Sequence, residues 1–160
     1  MQTPISILEA QPFLSGMTAR HLELLAEDAW PAEFKAGERI LNEGAAANRF
    51  YLIMEGQVDL ESPLLDGGAV HIQTLGPGDL LGWSWLFPPH SWQFDAQAAT
   101  PTKAICFYGT HLRKLCDENH DLGYELMKRV SEILIKRLQA ARRELVEHNK
   151  KLGLKRVHPR

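Results

Sequence analysis

The chain has 160 residues, of which 44% are hydrophobic and 24% are charged. This balance is typical of one globular domain and excludes a charge-rich disordered chain. The net charge of −2 is unevenly distributed, because the segment from Lys128 onward carries eleven basic and three acidic side chains, whereas the first 127 residues carry seven and seventeen. Either a solvated basic helix or a surface for nucleic acid or another anion would give this asymmetry.

Membrane insertion and secretion are both disfavoured by the sequence. The longest segment without a charged side chain, residues 80–94, is too short to cross a bilayer, and the amino terminus lacks the basic and apolar regions of a signal peptide. The two cysteines, Cys106 and Cys116, form no Cys-x-x-Cys motif, which favours a reducing, cytoplasmic location.

The N-terminal segment, residues 3–32, is predicted to form short helices. Leu14, Met17, Leu22 and Leu25 recur at helical spacing. Thr18 is expected to cap the second helix. This segment therefore predicts an amphipathic helical layer that packs against the rest of the domain.

A β-roll is predicted over residues 33–108, because runs of β-forming residues alternate with glycines. Asp66-Gly67-Gly68, between two alternating runs, predicts a hairpin turn. The predicted fold is mainly β with flanking helices, a jelly-roll-like double-stranded β-helix. The strand candidates are 39–41, 50–54, 57–61, 70–75, 95–99 and 103–108.

The C-terminal segment is predicted to be helical, with a short hinge helix over 109–119 and a long helix over 121–152. Leu134, Leu138, Ala141 and Leu145 follow one another at intervals of four, three and four residues, as in a coiled-coil seam. A helix of about 30 residues extends beyond what a small domain can cover. We therefore expect a homodimer through this helix, with 153–160 as a basic tail and 1–160 as a single domain.

Three glycine-containing motifs follow one another along the predicted roll. They are Phe34-x-Ala36-Gly37-Glu38-x-Ile40-Leu41-x-Glu43-Gly44, then 50–58 (FYLIMEGQV), then 75–82 (LGPGDLLG). In this order they resemble a cyclic nucleotide-binding domain, the effector module of catabolite-activator-type regulators. The resemblance covers about residues 10–150 and implies the β-roll, a regulatory role without catalysis, and dimerisation. In this family, a Gly-Glu pair and a following arginine bind the ribose and the cyclic phosphate of the ligand.

The ligand-binding cassette departs from this pattern. Gly82 matches the glycine, but Trp83 stands where the glutamate is expected, and 89–94 contains neither arginine nor lysine. Losing one partner of a buried charge pair costs about 2–5 kcal/mol. Ordinary cyclic-nucleotide binding is therefore expected to be weak, although His90, backbone N–H groups or an arginine of the long helix could substitute.

Aromatic side chains replace the polar site, and two interpretations stay open. Either the rings fill the ligand cavity, or they stack on an apolar or planar effector that polar neighbours anchor. The candidate ligand-binding residues are Gly82, Trp83, Ser84, Trp85, His90, Ser91, Trp92 and Gln93.

A catalytic function has little support in the sequence. A cupin-like metal enzyme would need paired histidines on neighbouring strands, whereas His71 stands alone in its run. No cofactor or metal is predicted. The expected function is a regulatory or sensor module that binds a different effector or a protein partner, the alternatives being a cyclic-nucleotide receptor with rearranged contacts and the cupin-like enzyme. The eight residues 153–160 that follow the predicted long helix cannot supply a recognition helix, so no sequence-specific DNA binding is expected.

Overall fold

The computed structural model describes residues 3–153. Within these residues, helices precede and follow eight strands. In chain order the elements are α1 (Ile5–Glu9), a 3-10 turn (Pro12–Leu14), α2 (Ala19–Ala26), β1 (Ala29–Phe34), β2 (Arg39–Leu41), β3 (Arg49–Glu55), β4 (Val58–Pro63), β5 (Ala69–Leu75), β6 (Leu80–Leu81), β7 (Asp95–Ala98), β8 (Thr102–Tyr108), α3 (Gly109–Glu118) and α4 (His120–Lys151).

The strands form two four-stranded antiparallel sheets, which confirms the predicted β-roll. The first sheet has the order β1-β8-β3-β6 and the second the order β2-β7-β4-β5. Buried side chains of both sheets form one cluster, here called the roll core, which includes Tyr51, Ile53, Leu60, Trp92 and Cys106. The apolar residues of the predicted strands therefore meet inside the roll.

The N-terminal prediction needs one correction, because a strand begins before the predicted end of the helices. Thr18 does cap α2, since its side chain accepts the His21 N–H at 3.4 Å. However, Ala29–Phe34 is a strand that pairs with β8 along its length. Pro31 cannot donate a backbone hydrogen bond, so its presence argues against a strand when only the sequence is considered. The proline is tolerated because β1 lies at the edge of its sheet.

Strand β3 separates two apolar layers. Tyr51 and Ile53 belong to the roll core, whereas Phe50 faces the opposite side, where its ring stacks on Phe107 with centroids 4.6 Å apart. Phe13, in the N-terminal 3-10 turn, meets Phe50 edge-on. Alternation along one strand thus joins the roll to the N-terminal helical segment.

The hairpin between β4 and β5 forms at the predicted turn. Leu64 N–H donates to Gly68 O at 2.7 Å, and the Asp66 carboxylate accepts the Gly68 N–H at 2.9 Å. Gly67 has a φ of 90°, a conformation that favours glycine. Local turn chemistry therefore sets the register of this strand pair.

The chain divides into two compact units after Gly123, while the single-domain organisation stays a prediction. The dimerisation seam also stays a prediction. In the second unit, Leu138 and Leu145 are 69% and 59% exposed, whereas Leu134 is half-buried. Ile135, which the predicted seam omitted, is also exposed.

Residues 154–160 of the predicted basic tail lie outside the described residues. None of the helices described is long and apolar enough to cross a bilayer.

Candidate functional site

The predicted cassette follows β6 and begins at Gly82, which lies directly against Trp92. Gly82 has a φ of 89°, and a Cβ atom built there would come within 2.8 Å of the Trp92 ring. Trp92 is only 3% exposed and is part of the roll core. The indole of Trp92 therefore occupies the space over the glycine of the cassette.

Trp85 lies on the other side of β3 from Trp92. Its ring stacks on Phe50 with centroids 5.0 Å apart. It also lies against the first residue of α3, because a Cβ on Gly109 would approach the Trp85 Cβ to 2.9 Å. Although Trp85 and Trp92 are both buried, they belong to different apolar layers and cannot share one ligand.

Trp83 begins a turn of chain that contains Trp85. The Leu86 N–H donates to Trp83 O at 3.2 Å, and the Phe87 N–H donates to Ser84 O at 3.4 Å. Trp83 is half-buried and meets the Phe87 ring edge-on at 6.2 Å. Ser84 is 3% exposed, and its hydroxyl has no hydrogen-bond partner among the described residues.

The polar candidates His90, Ser91 and Gln93 lie in the segment that precedes β7. His90 has a φ of 55°, and its carbonyl accepts the Ala47 N–H at 2.7 Å. Ser91 forms an isolated bridge with Ala46, and the exposed Gln93 side chain donates to Ser91 O at 2.9 Å. Of the eight predicted residues, Gly82 and Trp92 are thus in contact, while Trp85 lies in the other apolar layer.

Two arginines outside the predicted site lie beside the cassette. Arg113 of α3 donates from Nη1 to Trp85 O at 2.6 Å and to Ala47 O at 3.5 Å. Arg49, the first residue of β3, has its carbonyl oxygen 3.6 Å from the Cβ position built on Gly82. Strand alternation could have indicated Arg49, because it shares the face of Tyr51. No sequence signal marked Arg113.

Electrostatics on this face of β3 centre on Tyr51. Burial raises the pKa of Tyr51 to about 12, with a further increase from Cys106 and an opposing decrease from Arg49. Burial also raises the pKa of the Cys106 thiol. The Arg49 guanidinium carbon lies 5.9 Å from the centre of the Tyr51 ring. The face therefore carries two neutral acids and one cation.

No metal centre is found in the part of the chain that the structure describes, where no three histidine, cysteine, aspartate or glutamate side chains lie close enough to hold an ion. His71, the one candidate of the cupin-like alternative, is exposed on β5. Its Nε2 atom lies 2.9 Å from the Thr74 hydroxyl and 3.4 Å from an Asp59 carboxylate oxygen.

Comparison with known proteins identifies relatives of this chain. Residues 31–119 match the family model described as "cyclic nucleotide-binding domain". A CRP-like cAMP-activated global transcriptional regulator from Mycobacterium tuberculosis is 23% identical over 141 residues, which are 88% of this chain and 61% of the regulator. The chain thus spans less than two thirds of the regulator's length.

Two solved structures are similar over most of the chain. A candidate cyclic nucleotide-binding protein from Geobacter metallireducens GS-15 is 26% identical, with a TM-score of 0.78 over 85% of this chain and 98% of that one. The regulatory subunit of a cAMP-independent protein kinase A from Trypanosoma brucei is 27% identical, with a TM-score of 0.67 over 80% and 46% of the two chains.

Proposed function

Because this chain belongs to the cyclic nucleotide-binding domain family, we propose that it is a non-catalytic regulatory module whose cassette does not take cyclic AMP or cyclic GMP in the family's manner. The observation that carries this proposal is the contact between Trp92 and Gly82. A cyclic phosphate resting on the glycine would have to displace a ring that is 3% exposed. Removing that ring from the roll core would cost several kcal/mol, since burying a large apolar side chain contributes about 1.5–3 kcal/mol and its cavity adds more.

The charge pattern supports the same proposal. Trp83 stands where the family has the glutamate that binds the ribose, and the segment 89–94 offers no basic side chain to the phosphate. The relatives also differ in effector, because one is described as cAMP-activated and another as cAMP-independent. A regulatory domain of this fold is therefore compatible with an effector other than cyclic AMP.

The proposal also includes a cytoplasmic location. Two unpaired cysteines and the transcriptional regulator among the relatives support it.

A melting experiment with cyclic nucleotides tests the proposal. A ligand at 100 times its Kd stabilises a protein by about 2.7 kcal/mol, which raises the Tm of a domain this size by several degrees. We expect no such rise with cyclic AMP or cyclic GMP at submillimolar concentration, measured by circular dichroism. A rise of several degrees with either nucleotide would overturn the proposal in favour of a receptor with rearranged contacts.

A variant that restores the missing groups provides a positive control. Trp83→Glu with Trp92→Arg places a carboxylate after Gly82 and a cation in the space over it. We expect the doubly substituted chain to gain a Tm increase with cyclic AMP. Trp83→Glu with Gln93→Arg is the matched control, because Gln93 is exposed and its substitution adds the same charge outside the roll core.

The same proposal includes a homodimer formed through α4. Ile135, Leu138 and Leu145 are exposed on this helix, and an apolar stripe of this kind commonly marks a partner surface. These residues, with Ala141 and the side chains of Gln139 and Arg142, border a shallow groove of about 510 Å³. A second copy of the helix would bury the stripe and leave most of the basic side chains in solvent.

A further inference from the structure

We propose that Arg49 is the anion-recognising residue of an effector site at the mouth of the roll, and that the effector is a small aromatic molecule carrying a carboxylate or phosphate group. This inference rests on the proposed function, since it names the effector class for a module that does not use cyclic nucleotides in the usual way. The residues of this site are Arg49 at the start of β3, Tyr108 directly opposite it on β8, and Trp83 in the cassette.

The first argument is that no carboxylate pairs with the charge of Arg49. The residue is half-buried, its Nε atom is buried without a hydrogen-bond partner, and no carboxylate among residues 3–153 lies within 4 Å of its guanidinium. By contrast, Arg39 on β2 pairs with Asp95 at 2.7 Å. Because charged groups taken out of water are usually paired, an unpaired guanidinium at this depth favours an anion supplied from outside the chain.

The acidic groups near Arg49 do not neutralise its positive charge. On the neighbouring strand, Tyr108 lies directly opposite Arg49, and its N–H donates to Asp28 O on the far side. The Asp28 carboxylate is already engaged by His111, whose Nδ1 atom lies 2.5 Å away. Tyr51 and Cys106, which share the inner face with Arg49, are held neutral because burial raises both pKa values.

The second argument is the position of Arg49 beside the cassette. Tyr51 pairs with Leu81, the last residue of β6, and the cassette follows directly. The Arg49 carbonyl oxygen lies 3.6 Å from the Cβ position of Gly82, the residue before Trp83. The guanidinium on β3 therefore lies where the cassette begins, although the cassette itself carries no cation.

Tyr108, opposite Arg49, and Trp83, which follows Gly82, suit an aromatic anion. Tyr108 is 49% exposed, and Trp83 is only half-buried. Planar rings of this kind stack on planar ligands, while a guanidinium binds carboxylate or phosphate oxygens through two parallel N–H donors. An anion attached to an aromatic ring would engage all three side chains and leave Trp92 in place over Gly82.

Melting curves with simple anions test this site. The probes are sodium benzoate and phenyl phosphate, with sodium acetate and sodium chloride at the same ionic strength as references. We expect benzoate and phenyl phosphate to raise the Tm above its value in chloride, and acetate to raise it less. The variant Arg49→Gln should lose this increment, and Arg49→Lys should keep part of it because the charge remains.

The increment is compared with each variant's own Tm in chloride, since losing the packing of Arg49 on Tyr51 can lower the Tm without any ligand. The matched control is Arg20→Gln, because the Arg20 side chain is 73% exposed on α2 and its loss should leave the increment unchanged. An equal increment in Arg49→Gln and in the unmodified chain would overturn the inference. The absence of any increment in the unmodified chain would do the same.

The two proposals fail separately. A Tm rise of several degrees with cyclic AMP would overturn the proposed function, whereas the benzoate and phenyl phosphate results decide the Arg49 site. No response to cyclic AMP together with an Arg49-dependent response to benzoate is the outcome that both proposals expect.

Discussion

At the scale of single residues, Gly82 has two reasons to be glycine. Its φ of 89° is strained for any residue with a Cβ atom, and that atom would also meet the Trp92 ring. We expect Gly82→Ala to lower the free energy of unfolding by about 3 kcal/mol, from backbone strain and overpacking together. Urea unfolding monitored by circular dichroism measures the loss.

Gly44 separates the two causes. Its φ of 85° is similar, but nothing lies within 4 Å of the Cβ position. Gly44→Ala should therefore cost only about 1 kcal/mol, the strain alone. Similar losses at Gly44 and Gly82 would contradict the proposed contact of Gly82 with Trp92.

The thiol of Cys116 offers a second test at this scale. Burial, followed by the negative charge of Asp117, raises the pKa of Cys116 from 9.0 to about 11. Because the thiolate is the reactive form, a shift of this size slows modification at pH 8 by about 100-fold. We expect slow reaction with a disulfide reagent in the folded chain and rapid reaction in urea. Equal rates in the two states would contradict the raised pKa.

The same shift predicts a dependence of stability on pH. A thiol whose pKa is higher in the folded state favours folding while it is protonated, so its contribution is complete below pH 9 and is lost as the pH rises through 11. The unfolding free energy should fall over this interval in the unmodified chain. The fall should be smaller in Cys116→Ala, while the parts contributed by Cys106 and Tyr51, whose pKa values are also raised in the folded chain, remain.

At the scale of elements, Arg113 links α3 to the cassette. Its Nη1 donates to Trp85 O at 2.6 Å, a charge-assisted bond of the stronger kind. We expect Arg113→Gln to cost about 1.5–3 kcal/mol and to speed amide hydrogen exchange over residues 83–90. Lys114→Gln is the control, because Lys114 is the exposed neighbour on the same helix. Unchanged exchange in Arg113→Gln would show that Arg113 does not hold the cassette.

The regular strands were the predictable elements. Runs of β-formers between glycines located β2, β3, β4, β5, β7 and β8 to within two residues at either end, because short buried strands require those residue types. β1 was missed since Pro31 interrupts its pattern, and β6 was missed because two residues carry no periodicity.

The candidate site was less predictable than the fold. The motif located Gly82, and the aromatic cluster around it was evident. Its division between two apolar layers was not predictable, because irregular chain has no period from which to infer that Trp85 and Trp92 lie on opposite sides of β3. Arg49 lies far from the cassette in sequence, and only the pairing of β3 with β6 brings the two together.

At the scale of the whole molecule, the central prediction is the dimer. Burying one leucine contributes about 1.5–3 kcal/mol, so Leu138→Glu with Leu145→Glu should remove several kcal/mol of association and add repulsion between like charges. Light scattering should give twice the chain mass of 18.1 kDa for the unmodified protein and the single mass for the variant. A monomer at micromolar concentration in the unmodified protein would contradict the dimer.

A matched pair of substitutions tests whether net charge alone controls association. Lys136 and Arg143 are also seven residues apart and exposed, but they lie on a different side of α4 from Leu138 and Leu145. Lys136→Glu with Arg143→Glu should leave the particle at twice the chain mass. Dissociation of this variant as well would mean that net charge, rather than the leucines, controls association.

The four tryptophans can serve as fluorescent probes of separate locations in the molecule. Trp30 is 37% exposed at the sheet edge, Trp83 is half-buried where the cassette begins, and Trp85 and Trp92 are buried in separate apolar layers. Indole emission shifts to shorter wavelength as water is excluded, so variants that keep one tryptophan and replace the others by phenylalanine should emit at graded wavelengths. Each variant would report on one location. A ligand that binds beside Arg49 without entering the roll core should change the emission of Trp83 and leave the emission of Trp92 constant.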